Sequence, residues 1–587
     1  MTSYFHSILS CLLLASITLS VATTSHGAEN ERIARAKEQN SAEVLARVEV
    51  AWKVLAPARA GSPESIRRAE LAYNREVELF LVSLLAVKPL SEWKGTTLLS
   101  AGGRSYSLSI PAPPAGYTQW NITHFDTFRI ASQVKIKSIA EPTRIAGIGA
   151  PLVLQRSGAK GEPFVYKTGY NCPGTAVIEF KSANTGPVQA VLRFYDRREI
   201  ATAGGMPLAA DYAAPVEVGL NTKEFRDIEF GGVFRIDKYM AVSGLYLTEP
   251  YRADKIPVVL VHGLDSSPLT WAKAINNFKS YPALAKKYQF WYYSYPTGTS
   301  WTVSAPHFRD QLNSANAYFA SRGGRENLHR TILVGHSMGG LMARMACIDS
   351  GNDFWDQIFS EPPSQVKWPS AQARDTMMAS LYFKKVPMVS AAIFVAAPHR
   401  GSGVADWFIV NFVKKLVKLP ASLASTVLNV ATLNTDGMKL TGKELASLDT
   451  SIVSLSPRDP AYIALNSRVI KVPFYTIIGD HDGDVTDLVY PHPRLLRSSD
   501  TIVPYWSAHL NQCVSEKIIH ARHEGCTVHE STVDEVRRIL TDRLAGKLGK
   551  APTKPAGLFG PGEPPGISEW KHERVKAKAG SRSAKTN

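Results

Sequence analysis

Long apolar runs are missing from this 587-residue chain, and so is any dense set of cysteines. The stretch Leu12–Ala22 is too short to span a bilayer with ease, which takes about 20 apolar residues. Small residues at Ser20-Val21-Ala22 and Gly27-Ala28 offer cleavage points, so residues 1–28 read as a signal peptide. The residues ahead of the apolar run hold no Lys or Arg, only His6, which leaves an uncleaved anchor as the second reading. No other segment is apolar enough to span a membrane. The mature chain is therefore expected to be secreted or periplasmic, soluble or surface-associated.

Of the five cysteines, Cys11 precedes the apolar run, leaving Cys172, Cys347, Cys513 and Cys526. None of their spacings makes a zinc site, and the chain has no dinucleotide or nucleoside-triphosphate loop. Neither a metal nor an organic cofactor is expected. Asp480, Asp482 and Asp484 allow a structural calcium loop, but an exposed acidic turn is the simpler reading. Cys347 falls at an apolar helical position and reads as a buried thiol. A bridge between Cys513 and Cys526 would close a short loop and contribute about 3 kcal/mol; two unpaired thiols are the alternative.

Basic residues outnumber acidic ones, 67 to 51, for a formal charge of +16. Part of the excess sits in a tail over 548–587, rich in Gly, Pro, Lys and Ala and poor in apolar anchors, which reads as disordered. No nucleic-acid motif accompanies it, so no nucleic-acid partner is expected. A solvated tail is the ordinary reading, and contact with an anionic membrane or cell surface the more specific one.

What the chain does have is Thr331-Ile-Leu-Val-Gly335-His336-Ser337-Met338-Gly339-Gly-Leu-Met-Ala-Arg344. An apolar run meets a G-x-S-x-G and a helix-forming stretch follows, the strand–turn–helix setting of a nucleophile elbow. Glycines flank the serine because strand and helix pass too closely for a Cβ. Upstream, Ile256-Pro-Val-Val-Leu-Val-His262-Gly263-Leu264 is an apolar strand ending in His-Gly. The loop after such a strand supplies the second oxyanion donor, here the Leu264 N–H, beside the Met338 N–H that follows the serine. Two such donors are worth about 3 kcal/mol each once water is excluded.

An acid and then a histidine must follow in chain order. Asp480, in Gly479-Asp-His-Asp-Gly-Asp484, is one candidate acid. Asp500, in Ser498-Ser-Asp-Thr-Ile-Val-Pro504-Tyr505, is the better one because its short loop leads straight into a new apolar segment. The base belongs between the final strand and the final helix, Val533–Leu540. His523 fits best, His529 lies closer to the helix, and His520 is still in the strand.

These residues resemble the serine-lipase-like α/β hydrolases, in particular a bacterial branch related to GPI inositol deacylases and esterases. The likeness covers Tyr251 to Leu544. It rests on Pro257–Gly263, Trp291–Gly298, Val334–Leu341, Ala396–Ser402 and Ser499-Asp500…Val503-Pro504-Tyr505. Such lipases usually read Asp-Gly-x-Val-Pro at the last motif. Thr501 replaces the glycine, so this turn needs other geometry. The resemblance implies an α/β-hydrolase domain over 249–547 with Ser337, His523 and Asp500 as its triad. The resemblance is specific for fold and triad, not for substrate; the activity expected of the whole is cleavage of carboxylic esters, acyl or lipid-like. An acyltransferase using the same triad, or a non-catalytic surface-binding protein on the same scaffold, are the alternatives.

Upstream, 29–90 reads as a helical hairpin broken at Pro57–Pro63, and 91–248 as a β-rich domain of unknown role. Its strand signals are Ser105–Ile110, Phe128–Val134, Leu152–Leu154, Ala176–Phe180, Ala190–Tyr195 and Val233–Val242. Within the hydrolase, an insertion over about 399–471 reads as a lid or cap. Its Ala405–Leu419 forms an amphipathic helix carrying Lys414, Lys415 and Lys418, interfacial lid or ordinary cap. Asp353–Arg374, with Trp355, Phe359 and Trp368, is expected to line the same mouth.

Overall fold

The computed structural model describes residues 40–58, 60–87, 92, 95–111, 125–181, 186–231, 242–402, 429–439 and 459–555, apart from 482, 484, 489–491, 493, 496 and 497. The signal segment, helix 405–419 with its lysines, most of Val233–Val242 and the tail beyond 555 lie outside them. The chain divides into two compact units. One lies within Met1–Ile136, Pro142–Ser157 and Asn171–Pro215, the other within Lys137–Glu141, Gly158–Tyr170 and Val216–Asn587.

In the first unit, α1 (Ser41–Ala58) and α2 (Pro63–Val87) are separated by the proline-bounded break. Asn40 Oδ1 caps α1 by accepting from the Ala42 N–H at 2.9 Å. Pro63 opens α2, where its missing N–H costs nothing. Ala69, Tyr73, Val77, Phe80, Leu81 and Leu84 recur at helical spacing and are buried. A buried phenol must find partners: the Tyr73 hydroxyl donates to the Ile178 carbonyl and accepts from its N–H, both at 2.7 Å.

Helix and sheet thus share one core. The six-stranded sheet comprises β1 (Thr96–Ala101), β2 (Arg104–Ser109), β3 (Thr127–Ile130), β4 (Ala150–Arg156), β5 (Tyr170–Lys181) and β6 (Val188–Asp196), in the order β1-β2-β6-β5-β4-β3. β1 and β2 form a hairpin closed by Gly102-Gly103, with φ of 59° and 76°, the positive values a two-residue turn demands. The run Phe128–Val134 is strand only to Ile130, after which Ala131–Gln133 winds into a 3-10 turn.

The second unit holds a seven-stranded sheet of β7 (Gly244–Leu247), β8 (Ile256–Val261), β9 (Tyr288–Ser294), β10 (Thr331–His336), β11 (Val389–Val395), β12 (Phe474–Asp480) and β13 (Glu516–His520). The order is β7-β9-β8-β10-β11-β12-β13, with β7 antiparallel to β9 and the remaining pairs parallel. Every residue of β8, β9 and β10 is buried, which explains their unbroken apolar runs: both faces are covered.

Two helical groups cover the sheet. One consists of α4 (Trp301–Ala320), α5 (Met338–Met345) and α6 (Ala371–Leu381). In the other, α8 (Glu530–Leu544) packs on α3 (Ala272–Ser280) and on Pro282–Lys287. A further helix, α7 (Pro460–Ser467), lies in the long segment after β11. From β8 the chain moves outward to β9 and then returns to β10 on β8's other side. Reversals of this kind are where open α/β sheets place their sites, at the carboxyl ends of the strands, here β8 and β10. The α/β-hydrolase fold expected from the motifs is the one observed.

The sequence left open whether Cys513 and Cys526 are bridged. Cys513 and Cys526 are both free. Cys513 precedes β13 and Cys526 follows it, so a strand spanning about 16 Å separates residues whose Cα atoms must approach within about 7 Å. The helix 405–419 whose mouth Asp353–Arg374 was expected to line lies outside the described residues; Trp355 and Phe359 pack together. Their rings stack at 4.2 Å, Trp368 packs against both at 6.3 Å, and Trp355 and Phe359 are buried. Cys347 is buried as expected, and burial pushes its thiol up to about 12. Among the described residues, no helix is long and apolar enough to cross a membrane.

Candidate active site

Strand register brings the site together. Val261 of β8 pairs with Gly335 of β10, so one residue further on His262 lies beside His336, and Gly263 beside Ser337. Ser337 follows β10 directly and heads α5 with φ 54° and ψ −125°, a conformation that few non-glycine residues adopt. The turn is held by the Ser337 N–H donating to the Val395 carbonyl and the Gly340 N–H donating to the Ser337 carbonyl, both at 2.9 Å. A Cβ on Gly339 would fall 2.3 Å from the His262 carbonyl oxygen and 2.6 Å from that of Val261. A Cβ on Gly263 would meet Ser337 Cβ at 2.8 Å. The glycines of both motifs are therefore demanded by one close approach.

Ser337 Oγ donates to His523 Nε2 at 2.8 Å, and His523 Nδ1 donates to Asp500 Oδ2 at 2.7 Å. All three residues are buried. The other carboxylate oxygen of Asp500 accepts from the Ile502 N–H at 3.0 Å and the Val503 N–H at 2.6 Å. These amides aim the first oxygen at the imidazole. Thr501, standing where glycine was expected, takes φ 89° to let the turn form. The His523 N–H donates to the Asp500 carbonyl at 2.9 Å, tying base to acid through the backbone as well.

The structure thus brings together the sequence-chosen serine, acid and base. Asp480 ends β12, buried, and the His523 imidazole pairs with Asp500 instead. His529 is the N-cap of α8, its ring nitrogen accepting from the Ser531 N–H at 3.2 Å. His520 is the last residue of β13. The Leu264 and Met338 N–H groups donate to no acceptor among the described residues. Met338 is the first residue of α5, so the positive end of that helix adds to its amide.

Burial alone would depress the His523 pKa, but the charge and hydrogen bond of Asp500, with Glu524 behind them, outweigh it and hold the imidazole above its ordinary value. Its two histidine neighbours behave oppositely. Burial lowers His262 to about 3 and drives His336 well below its usual range, so both are neutral. His262 Nδ1 lies 3.1 Å from the Gly263 carbonyl oxygen, and its ring stacks on Tyr295 at 4.4 Å. A proton on Nδ1 holds that carbonyl, fixing the plane of the Gly263–Leu264 peptide whose N–H is the expected donor.

The segment after β11 supports the acid loop. Arg400, buried, donates from Nη1 to the Trp506 carbonyl at 3.0 Å, and its N–H donates to Ser507 Oγ at 3.2 Å. Ser402 Oγ donates to the Ile502 carbonyl. The Ala396–Ser402 motif thereby acquires a structural task that its sequence did not disclose. Among the described residues, no cluster of His, Cys, Asp or Glu could hold a metal ion.

Residues 258–530 match the model of the alpha/beta hydrolase family. A lipase of Bacillus licheniformis in its mature form is 16% identical, with 50% of this chain and 97% of that one covered and a TM-score of 0.28. Lipase 1 of Pelosinus fermentans is 13% identical, covering 51% and 100%, with a TM-score of 0.29. Staphylococcus hyicus lipase is 13% identical, covering 50% and 96%, with a TM-score of 0.28. No curated protein matches the sequence.

Proposed function

We propose that this protein is a serine hydrolase of carboxylic esters, working through a covalent acyl-enzyme. The observation that carries the reading is the continuous hydrogen-bond chain from Ser337 Oγ through His523 to Asp500, at 2.8 and 2.7 Å. Ser337 Oγ attacks the acyl carbon while its proton passes to His523 Nε2, and the carbonyl π pair moves onto oxygen. The Leu264 and Met338 N–H groups receive that oxyanion. Asp500 stays ionised, holds the Nδ1–H tautomer and stabilises the imidazolium. Collapse of the tetrahedral species expels the alkoxide, which takes the Nε2 proton. Water, deprotonated by His523, then attacks the acyl-enzyme and returns Ser337 to its starting state.

An apolar acyl group is the proposed substrate half, and a secreted or periplasmic location the proposed setting. Carriage to an anionic surface would fall to Lys414, Lys415, Lys418 and the basic tail, of which the lysines of the helix and the tail beyond 555 lie outside the described residues. The test is a panel of p-nitrophenyl esters of rising acyl length, extended to acylated inositol lipids because of the motif likeness. A fluorophosphonate probe should label wild type at Ser337 and leave Ser337→Ala unlabelled. Labelling elsewhere, or none on folded protein, overturns the reading.

A further inference from the structure

His336, the variable residue of the G-x-S-x-G, has no part in the mechanism above, yet its side chain is buried in the site. Its Nε2 lies 3.1 Å from the carbonyl oxygen of His523, and the two rings approach to 4.9 Å at 37°. A carbonyl oxygen only accepts, so the proton must be on His336 Nε2. Nδ1 then carries a bare lone pair, and that atom has no hydrogen-bond partner among the described residues. It faces Gly263, where an added Cβ would stand 2.9 Å away. The imidazole fills the space between the oxyanion loop and the base loop and has only one tautomer to offer.

The base is therefore pinned at both of its peptide groups. Its N–H is held by the Asp500 carbonyl at 2.9 Å, and its C=O accepts from His336 at 3.1 Å and, more loosely, from the Cys526 N–H at 3.3 Å. We propose that His336 is a positioning residue for the hydrolytic reaction: its Nε2–H anchors the His523 carbonyl and so fixes the base imidazole on Ser337 Oγ. The inference rests on the esterase reading. His523 becomes cationic each time Ser337 is acylated, and a neighbour that stayed protonated would oppose that charge. His336 is neutral because burial, and then the His523 charge, disfavour its cation. The same residue thus orients the base without repelling its working form.

Two substitutions separate anchoring from packing. His336→Phe keeps a ring of similar size and removes the donor. His336→Gln returns an N–H near the position of Nε2. Misplacing a reacting group by an ångström costs about 100-fold in rate. His336→Phe is expected to lower kcat by about 10- to 100-fold with KM changed less than about threefold, and His336→Gln to recover most of the loss. Fluorophosphonate labelling should slow in parallel. In wild type, 15N NMR of labelled histidine should show His336 as the neutral Nε2–H tautomer throughout the pH range in which His523 titrates. A Phe variant with wild-type kcat, a folded Gln variant as slow as Phe, or an Nδ1–H or titrating His336 overturns the proposal. If His336→Phe does not fold, the tautomer decides alone. Failure of the esterase reading looks different: wild type itself then turns over no ester and takes no fluorophosphonate label.

Discussion

The two units distribute backbone strain unequally. In the strand-rich unit, every described residue with a clearly positive φ is a glycine, as at Gly102, Gly103, Gly147, Gly149, Gly186, Gly204 and Gly205. In the hydrolase unit Phe164, Asp265, Ser337, Ala396, Thr501 and Gln512 also adopt positive φ. Ser337 and Ala396 directly follow β10 and β11, Asp265 lies in the loop after β8, and Thr501 follows the acid. Each such residue costs about 1 kcal/mol or more. The first unit turns its corners with the residue that turns them freely. The second keeps Ser337, Ala396, Asp265 and Thr501 in strained positions just after its strands or beside Asp500.

The sharpest way to test that contrast is Ser337→Gly. It removes the nucleophile and also relieves φ 54°. Ester turnover should fall by about four orders of magnitude or more, while thermal unfolding reports about 1 kcal/mol of added stability. A loss of stability would mean that the elbow is unstrained.

Asp500→Asn should lose about four orders of magnitude in kcat with the fold intact, because the amide no longer enforces the Nδ1–H tautomer. His529→Ala should keep most activity and lose about 1 kcal/mol of stability, since it removes only the cap of α8. Steady-state kinetics and denaturant unfolding on both variants decide it. An inactive, folded His529→Ala would move the base by one loop position.

A smaller effect compares the units directly. Thr501→Gly should raise stability by about 1 kcal/mol and preserve turnover, since φ 89° suits glycine better than a β-branched residue. Gly103→Ala, at φ 76° in the first unit's hairpin, should lower stability by a similar amount without touching activity. Equal signs for the two substitutions would break the comparison.

The smallest expected effect concerns pH. The base must be neutral to accept a proton, so kcat/KM should fall on the acid side as pH drops through a His523 pKa raised above 6.5. Glu524→Gln removes one of the charges that raise it and should move that midpoint down. A shift upward would mean that Glu524 does not stabilise the imidazolium.

Much of this was legible in the sequence because the chemistry imposes local patterns. The elbow is written within five residues, and the His-Gly loop and the acid turn within short segments of their own. Thr501 was legible as a misfit, and its positive φ shows what the misfit entails. His336 was not legible, since its partner is the carbonyl of a residue 187 positions away and no local pattern records that. The bond between Tyr73 and Ile178 spans 105 positions, so helical hairpin and sheet read as separate segments although they share a core. β1 was missed for a different reason. Its residues are exposed or half-buried throughout, leaving no apolar face to give a period. The strand between Cys513 and Cys526 was legible, but cysteine spacing could not say whether the thiols meet across it.

Cys526 has one more consequence. Its Sγ packs beneath the catalytic loop, 2.7 Å from where a Cβ on Gly479 would lie, and donates to the Arg522 carbonyl at 3.4 Å. Burial holds its thiol well above the ordinary range, so in the closed loop it is neither accessible nor a thiolate. Alkylation of Cys526 requires the segment carrying His523 to lift away. The rate at which a small thiol reagent captures it is then a clock for how often the base leaves its post, readable without substrate and without turnover.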